Sequence, residues 1–159
     1  MNIFNHFLTS FIVLFILFHN NVLIKELVLF SFVFGVLLDL NQVIGRYLKK
    51  SKNHTRTWIE EPFGLIIIGI PLGLIFSIIK TEYFFLVIIP FAIHIILDYL
   101  VIHEVSPFVP FSNKNIELGF FKSAPPPLWY TGEEKGISEN YFLILNMIIT
   151  MIILWTIFF

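Results

Sequence analysis

A histidine and an aspartate, His94 and Asp98, stand four residues apart in an apolar run over residues 83–102. Residues with this spacing lie on one face of an α-helix. An ionised carboxylate at the centre of a bilayer costs about 3 kcal/mol or more, so such side chains are uncommon there and usually face a protein interior or a water-filled cavity. The pair therefore predicts either a proton relay or half of a metal site.

Three more residues with metal-binding side chains, His6, Asp39 and Glu60, lie near the ends of other apolar runs. Imidazoles combined with carboxylates suit a divalent ion such as zinc, manganese or iron. A bound ion of this kind makes a water molecule acidic enough to supply hydroxide at neutral pH. We therefore predict a metal site built from these three residues together with His94 and Asp98.

Catalytic roles are predicted for three of the polar residues. Asp39 and Glu60 are candidates for a general base, since a carboxylate that does not bind the metal can take a proton from water. Arg56 can hold a phosphate or carboxylate group through a bidentate pair. A phosphoester or a lipid headgroup is therefore the expected substrate, and membrane lipid is the expected partner.

The composition indicates which elements must position these residues. Of the 159 residues, 57% are hydrophobic and 13% are charged, whereas an average soluble domain carries about 25% charged residues. We therefore predict an all-α, polytopic membrane protein with a single integral-membrane domain over residues 1–159. The absence of cysteine excludes disulfides and thiol nucleophiles. A net charge of -1 without a basic face gives no indication of a nucleic-acid partner.

Five apolar segments are each close to the roughly 20 residues that a membrane-spanning helix needs. They cover residues 3–18, 23–40, 63–79, 83–102 and 141–159. Pro71 and Pro90 fall inside the third and fourth segments, where we expect kinks. The polar, proline-containing loop over residues 103–140 is predicted to be either an ordered cap over the cytoplasmic mouth of the bundle or a solvated loop.

Lysine and arginine are distributed unevenly among the predicted loops. Lys25 and Lys80 lie on one side, and the other eight of the ten lie in the loops that follow the second and fourth segments. Because cytoplasmic loops carry the excess of positive charge, this second side is predicted to be cytoplasmic, with the N-terminus inside and the C-terminus outside. The five candidate ligands then lie in the cytoplasmic half of the membrane.

The candidate residues also form an ordered set of short motifs. These are His6, Asp39-Leu40-Asn41, Thr55-Arg56-Thr57-Trp58-Ile59-Glu60, His94-Ile95-Ile96-Leu97-Asp98 and Pro110-Phe111-Ser112. The set, over residues 1 to about 112, resembles the membrane-bound metal-dependent hydrolases, a family also described as LexA-regulated inner-membrane hydrolases. The resemblance implies a small polytopic protein with a metal-dependent hydrolytic site at these positions.

The chain departs from the family pattern at four positions. Asn41 stands where a second acid is usual, Thr55 and Glu60 where two histidines are usual, and Glu104 where glycine is usual. Glutamate in place of histidine retains a metal ligand, whereas asparagine and threonine supply no ionisable ligand. A one-metal site is therefore better supported than a two-metal site.

Two further functions remain open from the sequence. One is a small transporter in which His94 and Asp98 relay a proton or cation, which would require polar residues that continue across the membrane. The other is a structural or partner-binding membrane protein with a degenerate site. Each candidate residue also has a structural explanation, as an interhelical hydrogen-bonding group, a residue at a helix end or a marker of the cytoplasmic side.

Overall fold

The computed structural model describes residues 3–39, 58–101, 103–105, 107–108, 111–112, 116–122 and 137–159. These residues are mostly helical, which confirms the predicted all-α class in outline. They contain five helices of more than one turn: α1 (Ile3–Phe18), α2 (Ile24–Val36), α3 (Pro62–Ser77), α4 (Glu82–Tyr99) and α5 (Glu139–Phe158). Two short 3-10 turns are also present, Leu37–Asp39 and Trp58–Glu60.

The expectation of five membrane-spanning helices is only partly met. Among the described residues, two helices are long and apolar enough to cross a membrane, α4 with 18 residues and α5 with 20. α1 and α3 are apolar but shorter, with 16 residues in α1, and α2 has 13. At 1.5 Å per residue, 16 residues reach about 24 Å and 13 about 20 Å, against a hydrocarbon core of about 30 Å. The α-helix in the second apolar run is shorter than the run itself, because the chain tightens into a 3-10 turn at Leu37.

The prolines affect α3 and α4 differently. In α3, a π-helical segment (Leu65–Gly69) lies immediately before Ile70 and Pro71, and the Ile70 N–H donates to the carbonyl oxygen of Leu65. Proline cannot donate to the carbonyl four residues before it, and its ring crowds that carbonyl. A wider turn directly before Pro71 relieves this conflict. Pro90 lies inside α4, and the helix continues through it.

The helices α1, α2 and α4 pack against one another and enclose the interior of the bundle. Residues four apart on a helix share a face, so the buried residues of each helix form successive layers along the interior. At one end, His6 stacks on His94, and His94 contacts Gly35. One turn further inward, Ser10 follows on α1 and Ser31 on α2, and the apolar side chains beyond them are Leu14, Leu27, Leu86 and Val87. These apolar side chains belong to the apolar core, so the polar layers occupy one end of the interior.

The fifth helix, α5, packs against α1 on the outside of this bundle. Its buried residues, Glu139, Asn146 and Ile153, are seven positions apart and form one narrow stripe. The Asn146 side-chain amide donates to Asn5 Oδ1 at 3.2 Å and to Thr9 Oγ1 at 3.0 Å. Amide and hydroxyl hydrogen bonds of this kind join helices within a bilayer. They hold α5 beside the first turns of α1.

After α4 the chain forms two small β-pairs. Strand β1 (His103–Val105) pairs antiparallel with β2 (Ile116–Leu118), and β3 (Phe121–Lys122) pairs parallel with β4 (Ile137–Ser138), directly before α5. The backbone N–H groups of Phe120 and Phe121 donate to the carbonyl oxygen of Leu100. We call the described residues between 103 and 138 the cap. The β-pairs, which the sequence did not predict, join the cap to the ends of α4 and α5.

Candidate metal centre

Three buried donor groups from two helices meet at one end of the bundle. His6 comes from α1, and His94 and Asp98 come from α4; both histidines are fully buried and Asp98 is 3% exposed. His6 Nε2 lies 3.1 Å from Asp98 Oδ1, and His94 Nε2 lies 3.6 Å from Asp98 Oδ2. The two imidazole rings stack with centroids 4.2 Å apart and planes inclined at 23°. Asp98 therefore presents one carboxylate oxygen to each of two nearly parallel rings.

The backbone of α2 orients His94. The Nδ1 atom of His94 lies 3.0 Å from the carbonyl oxygen of Gly35, a residue of α2. A carbonyl oxygen can only accept, so Nδ1 carries the proton and donates it. A neutral His94 then directs the lone pair of Nε2 toward Asp98, whose carboxylate is also an acceptor. Two acceptors that face each other favour a cation between them, either a metal ion or an added proton.

The spacing of the donor atoms fits a divalent ion. All three atoms lie within 4.8 Å of one another. Bonds of about 2.1 Å place neighbouring ligands about 3.0 Å apart in an octahedral site and about 3.4 Å apart in a tetrahedral one. The distances from His6 Nε2 to Asp98 Oδ1, 3.1 Å, and from His94 Nε2 to Asp98 Oδ2, 3.6 Å, are of this order, although they end at different oxygens of the carboxylate. Two imidazoles and one carboxylate could therefore hold zinc, manganese or iron and leave positions open for water or substrate.

The approach of α1 to α2 beside His6 and His94 depends on Gly35. A Cβ at this position would lie 2.9 Å from Ser10 Oγ and 3.3 Å from the carbonyl oxygen of His6. Small residues four apart on α2, Ser31 and Gly35, allow the two backbones to come this close. The same glycine thus admits the backbone of His6 and supplies the carbonyl that orients His94.

We expect Gly35→Ala to separate α1 from α2 and to weaken metal binding, because overpacking a buried contact costs about 1–3 kcal/mol. Adding Ser10→Ala removes the atom nearest to the new methyl group, so the double variant should recover part of the stability and of the metal affinity. Thermal unfolding and metal titration of the two single variants and the double variant measure both effects. Wild-type metal affinity in Gly35→Ala alone would show that this close approach does not position His6.

The structure describes the other three predicted site residues, Glu60, Asp39 and Arg56, only in part. Glu60 is fully buried in the turn Trp58–Glu60, which contacts the turn Leu37–Asp39 at the end of α2. Glu60 therefore lies toward the metal-centre end of the bundle, although it is outside the group of three donors. The side chain of Asp39 and the whole of Arg56 lie outside the described part of the chain.

Sequence reasoning missed two features around the centre. The first is the link between α3 and α4: Glu61 is buried, and the hydroxyl of Tyr99, which follows Asp98, donates to the Glu61 carboxylate. No local pattern pairs residues so far apart in the chain. The second is the role of Gly35, which the four-residue spacing of two small residues, Ser31 and Gly35, could have indicated.

Comparisons with protein-family models, with curated proteins and with solved structures found no match for the chain. Function therefore has to be inferred from the chemistry of the centre itself. That chemistry consists of three buried donors at one end of a bundle that includes two helices apolar enough to cross a membrane.

Proposed function

We propose that this protein is a membrane-embedded, metal-dependent hydrolase whose ion is held by His6, His94 and Asp98. The observation that carries the proposal is the meeting of these three buried donors, with the two histidine nitrogens 3.1 and 3.6 Å from one carboxylate. Three protein ligands with an open position are typical of catalytic rather than structural metal sites. The motifs that resemble those of membrane-bound metal-dependent hydrolases support the same reaction class.

The apolar helices support a membrane location. In α5, about one residue in seven is buried, and the exposed side chains include Ile144, Ile148 and Ile152. An exposed apolar helix of 20 residues is about 30 Å long, which matches the hydrocarbon core of a bilayer. The shorter helices can be accommodated by local thinning of the bilayer. In this proposal the chain is multi-pass, and the metal centre lies toward the cytoplasmic side marked by lysine and arginine.

Hydrolysis of a phosphoester adds water across a P–O bond, so that hydroxyl joins phosphorus and a proton joins the leaving oxygen. A bound divalent ion would supply Lewis acidity at a phosphoryl oxygen and at a water molecule. His6, His94 and Asp98 would hold it in a site shielded from bulk water, because both histidines are fully buried. The carbonyl of Gly35 keeps His94 Nε2 directed at the centre.

We assign the general base to Glu60. Its carboxylate is buried on a turn against the end of α2 and is outside the group of three donors. A carboxylate that is not bound to metal can accept the proton of the attacking water. Asp39 is the second candidate, as base or as a fourth ligand, and Arg56 is the candidate clamp for the substrate phosphate. The substrate class is a phosphoester or a lipid headgroup at the cytoplasmic leaflet.

A proton or cation relay through the same residues is less well supported. Beyond the metal centre, the fully buried hydroxyls of Ser10 and Ser31 extend the polar interior by one layer. The next layer, with Leu14 and Leu27, belongs to the apolar core. A relay needs polar groups that continue across the membrane, and these leucines interrupt the path through the described helices. A hydrolytic site needs access from one side alone.

Hydrolytic activity should depend on the metal and on the donor residues. Purified protein in phosphatidylcholine–phosphatidylglycerol vesicles should release a phosphorylated headgroup; chelation should stop the release, and added zinc, manganese or iron should restore it. Asp98→Asn, which removes the charge and keeps the shape, should lower the rate by about 100-fold or more. Glu82→Gln, at the other end of the same helix, is the matched control.

Two outcomes would contradict the hydrolase. One is a rate that chelation does not change, and the other is an equal rate in the wild type and Asp98→Asn. Proton-driven flux into vesicles that disappears in Asp98→Asn would support the relay instead.

A further inference from the structure

We propose that the cap rests on the cytoplasmic leaflet through two pairs of apolar side chains, Phe108 with Phe111 and Phe120 with Ile137. Phe111 is 83% exposed and Phe120 is 71% exposed, and the other two residues are more than half exposed. Removing a large apolar side chain from water is favourable. Four exposed side chains of this kind on the cap mark an interaction surface. The proposal rests on the membrane location argued above.

Contacts with α3 determine the depth of the first pair. The ring of Phe111 meets the ring of Phe63 edge to face, with centroids 5.5 Å apart. Phe63 is the second residue of α3, so Phe111 lies level with the first turn of an apolar helix. A hydrogen bond of 2.7 Å from the Phe111 N–H to the Phe108 carbonyl closes a turn that keeps Phe108 beside it. The first pair is therefore held at the end of α3, where headgroups meet hydrocarbon.

Contacts with α5 determine the depth of the second pair. Phe121 packs against Phe142, in the first turn of α5, with ring centroids 5.7 Å apart. Phe120, the preceding residue, is exposed, as expected where consecutive side chains of an extended chain point in opposite directions. The Ile137 N–H donates to the Phe120 carbonyl at 3.3 Å. The second pair is therefore held level with the beginning of α5.

Both pairs adjoin apolar surface that the helices already expose. Near the start of α3 and of α5, the exposed apolar side chains are Ile66, Ile67 and Ile70, and Tyr141, Ile144 and Leu145. The cap pairs continue this surface past the helix ends. A lipid leaflet matches this apolar surface. Interfacial segments bury their apolar face about 5–10 Å into the boundary between headgroups and acyl chains.

Tryptophan fluorescence tests the depth of both pairs. In a chain whose three native tryptophans are replaced by phenylalanine, Phe111→Trp and Phe120→Trp each place a single reporter on the cap. Phosphatidylcholine vesicles carry bromine either just below the headgroup or near the bilayer centre, and acrylamide probes from the water. We expect strong quenching of both reporters by the shallow bromines and weak quenching by the deep bromines and by acrylamide. Ile148→Trp, midway along α5, is the deep reference and should respond mainly to the deep bromines.

The three reporters distinguish failure of this inference from failure of the proposed function. Cap reporters that acrylamide quenches and bromines do not, with Ile148→Trp still quenched by deep bromines, would overturn cap docking and leave the hydrolase intact. Cap reporters shielded from every quencher would overturn it in favour of a protein partner such as a second copy. Absence of bromine quenching at Ile148→Trp would contradict the membrane location, and with it the cap proposal.

Discussion

Asp98→Ala is expected to abolish metal binding. Asp98 directs one carboxylate oxygen to each of the two imidazoles, so its removal takes away a proposed ligand and the negative charge that would offset the ion. Changes in the residues that merely support metal ligands cost about 10–100-fold in affinity, so loss of a ligand should cost more than about 100-fold. His6→Ala and His94→Ala should each have effects of the same order. Titration with zinc, manganese and iron, followed by elemental analysis of the purified protein, measures the loss.

Two controls separate ligand loss from unfolding. Ser31→Ala changes a buried polar residue one layer away and should leave the metal bound. Metal at 100 times its Kd should stabilise the wild type by about 2.7 kcal/mol, whereas Asp98→Asn, which preserves the packing, should gain nothing. Two results together would reject the metal centre. The purified wild type would contain no transition metal, and the double variant His94→Ala with Asp98→Ala would have the same metal content.

Gly64→Ala is expected to destabilise the protein by about 3 kcal/mol or more. A Cβ at this position would lie 2.1 Å from the carbonyl oxygen of Ile59 and 2.6 Å from its carbon. These are backbone atoms, so no side-chain rotation can relieve the overlap, and the turn before α3 would have to move away from the helix. Because Glu60 and Glu61 lie between these positions and are buried, the change should displace both carboxylates and reduce hydrolysis.

Gly69→Ala in the same helix is the matched control. Its new methyl group would meet Leu65 Cδ1 at 2.8 Å, which is the flexible end of a side chain and can move. Chemical unfolding of both variants in one detergent should show a clearly larger loss of stability in Gly64→Ala. Equal losses would mean that the approach of Ile59 to Gly64 is not needed for the fold.

Apolar runs located the helices well and their ends less well. The first run coincides with α1 (Ile3–Phe18), whereas the second was expected to reach residue 40 and its α-helix ends at Val36. A run of apolar residues shows where a helix can be buried or meet lipid, but the hydrogen bonds that end it depend on the next turn. The β-pairs of the cap were not predicted, since strands of two or three residues are too short to show alternation.

The candidate site likewise has one part that the sequence predicts and one part that depends on tertiary packing. His94 and Asp98 belong to one helix, so their four-residue spacing was sufficient to predict a shared face. His6 lies on another helix, and its position 3.1 Å from Asp98 depends on how closely α1 approaches its neighbours. That approach depends in turn on Gly35, where a side chain would not fit. The spacing of Ser31 and Gly35 within α2 can indicate a close helix contact, but it does not show that His6 is the residue brought beside Asp98.

Helical class, apolar surface and the common face of His94 and Asp98 follow from local periodicity and hydrophobicity, so they could be read from the chain alone. The third donor, the carbonyl of Gly35 that orients His94 and the placement of the cap beside the helix ends required the folded structure. Each of these contacts joins residues far apart along the chain. Their distances are set by the packing of whole helices, which no local pattern of residues encodes.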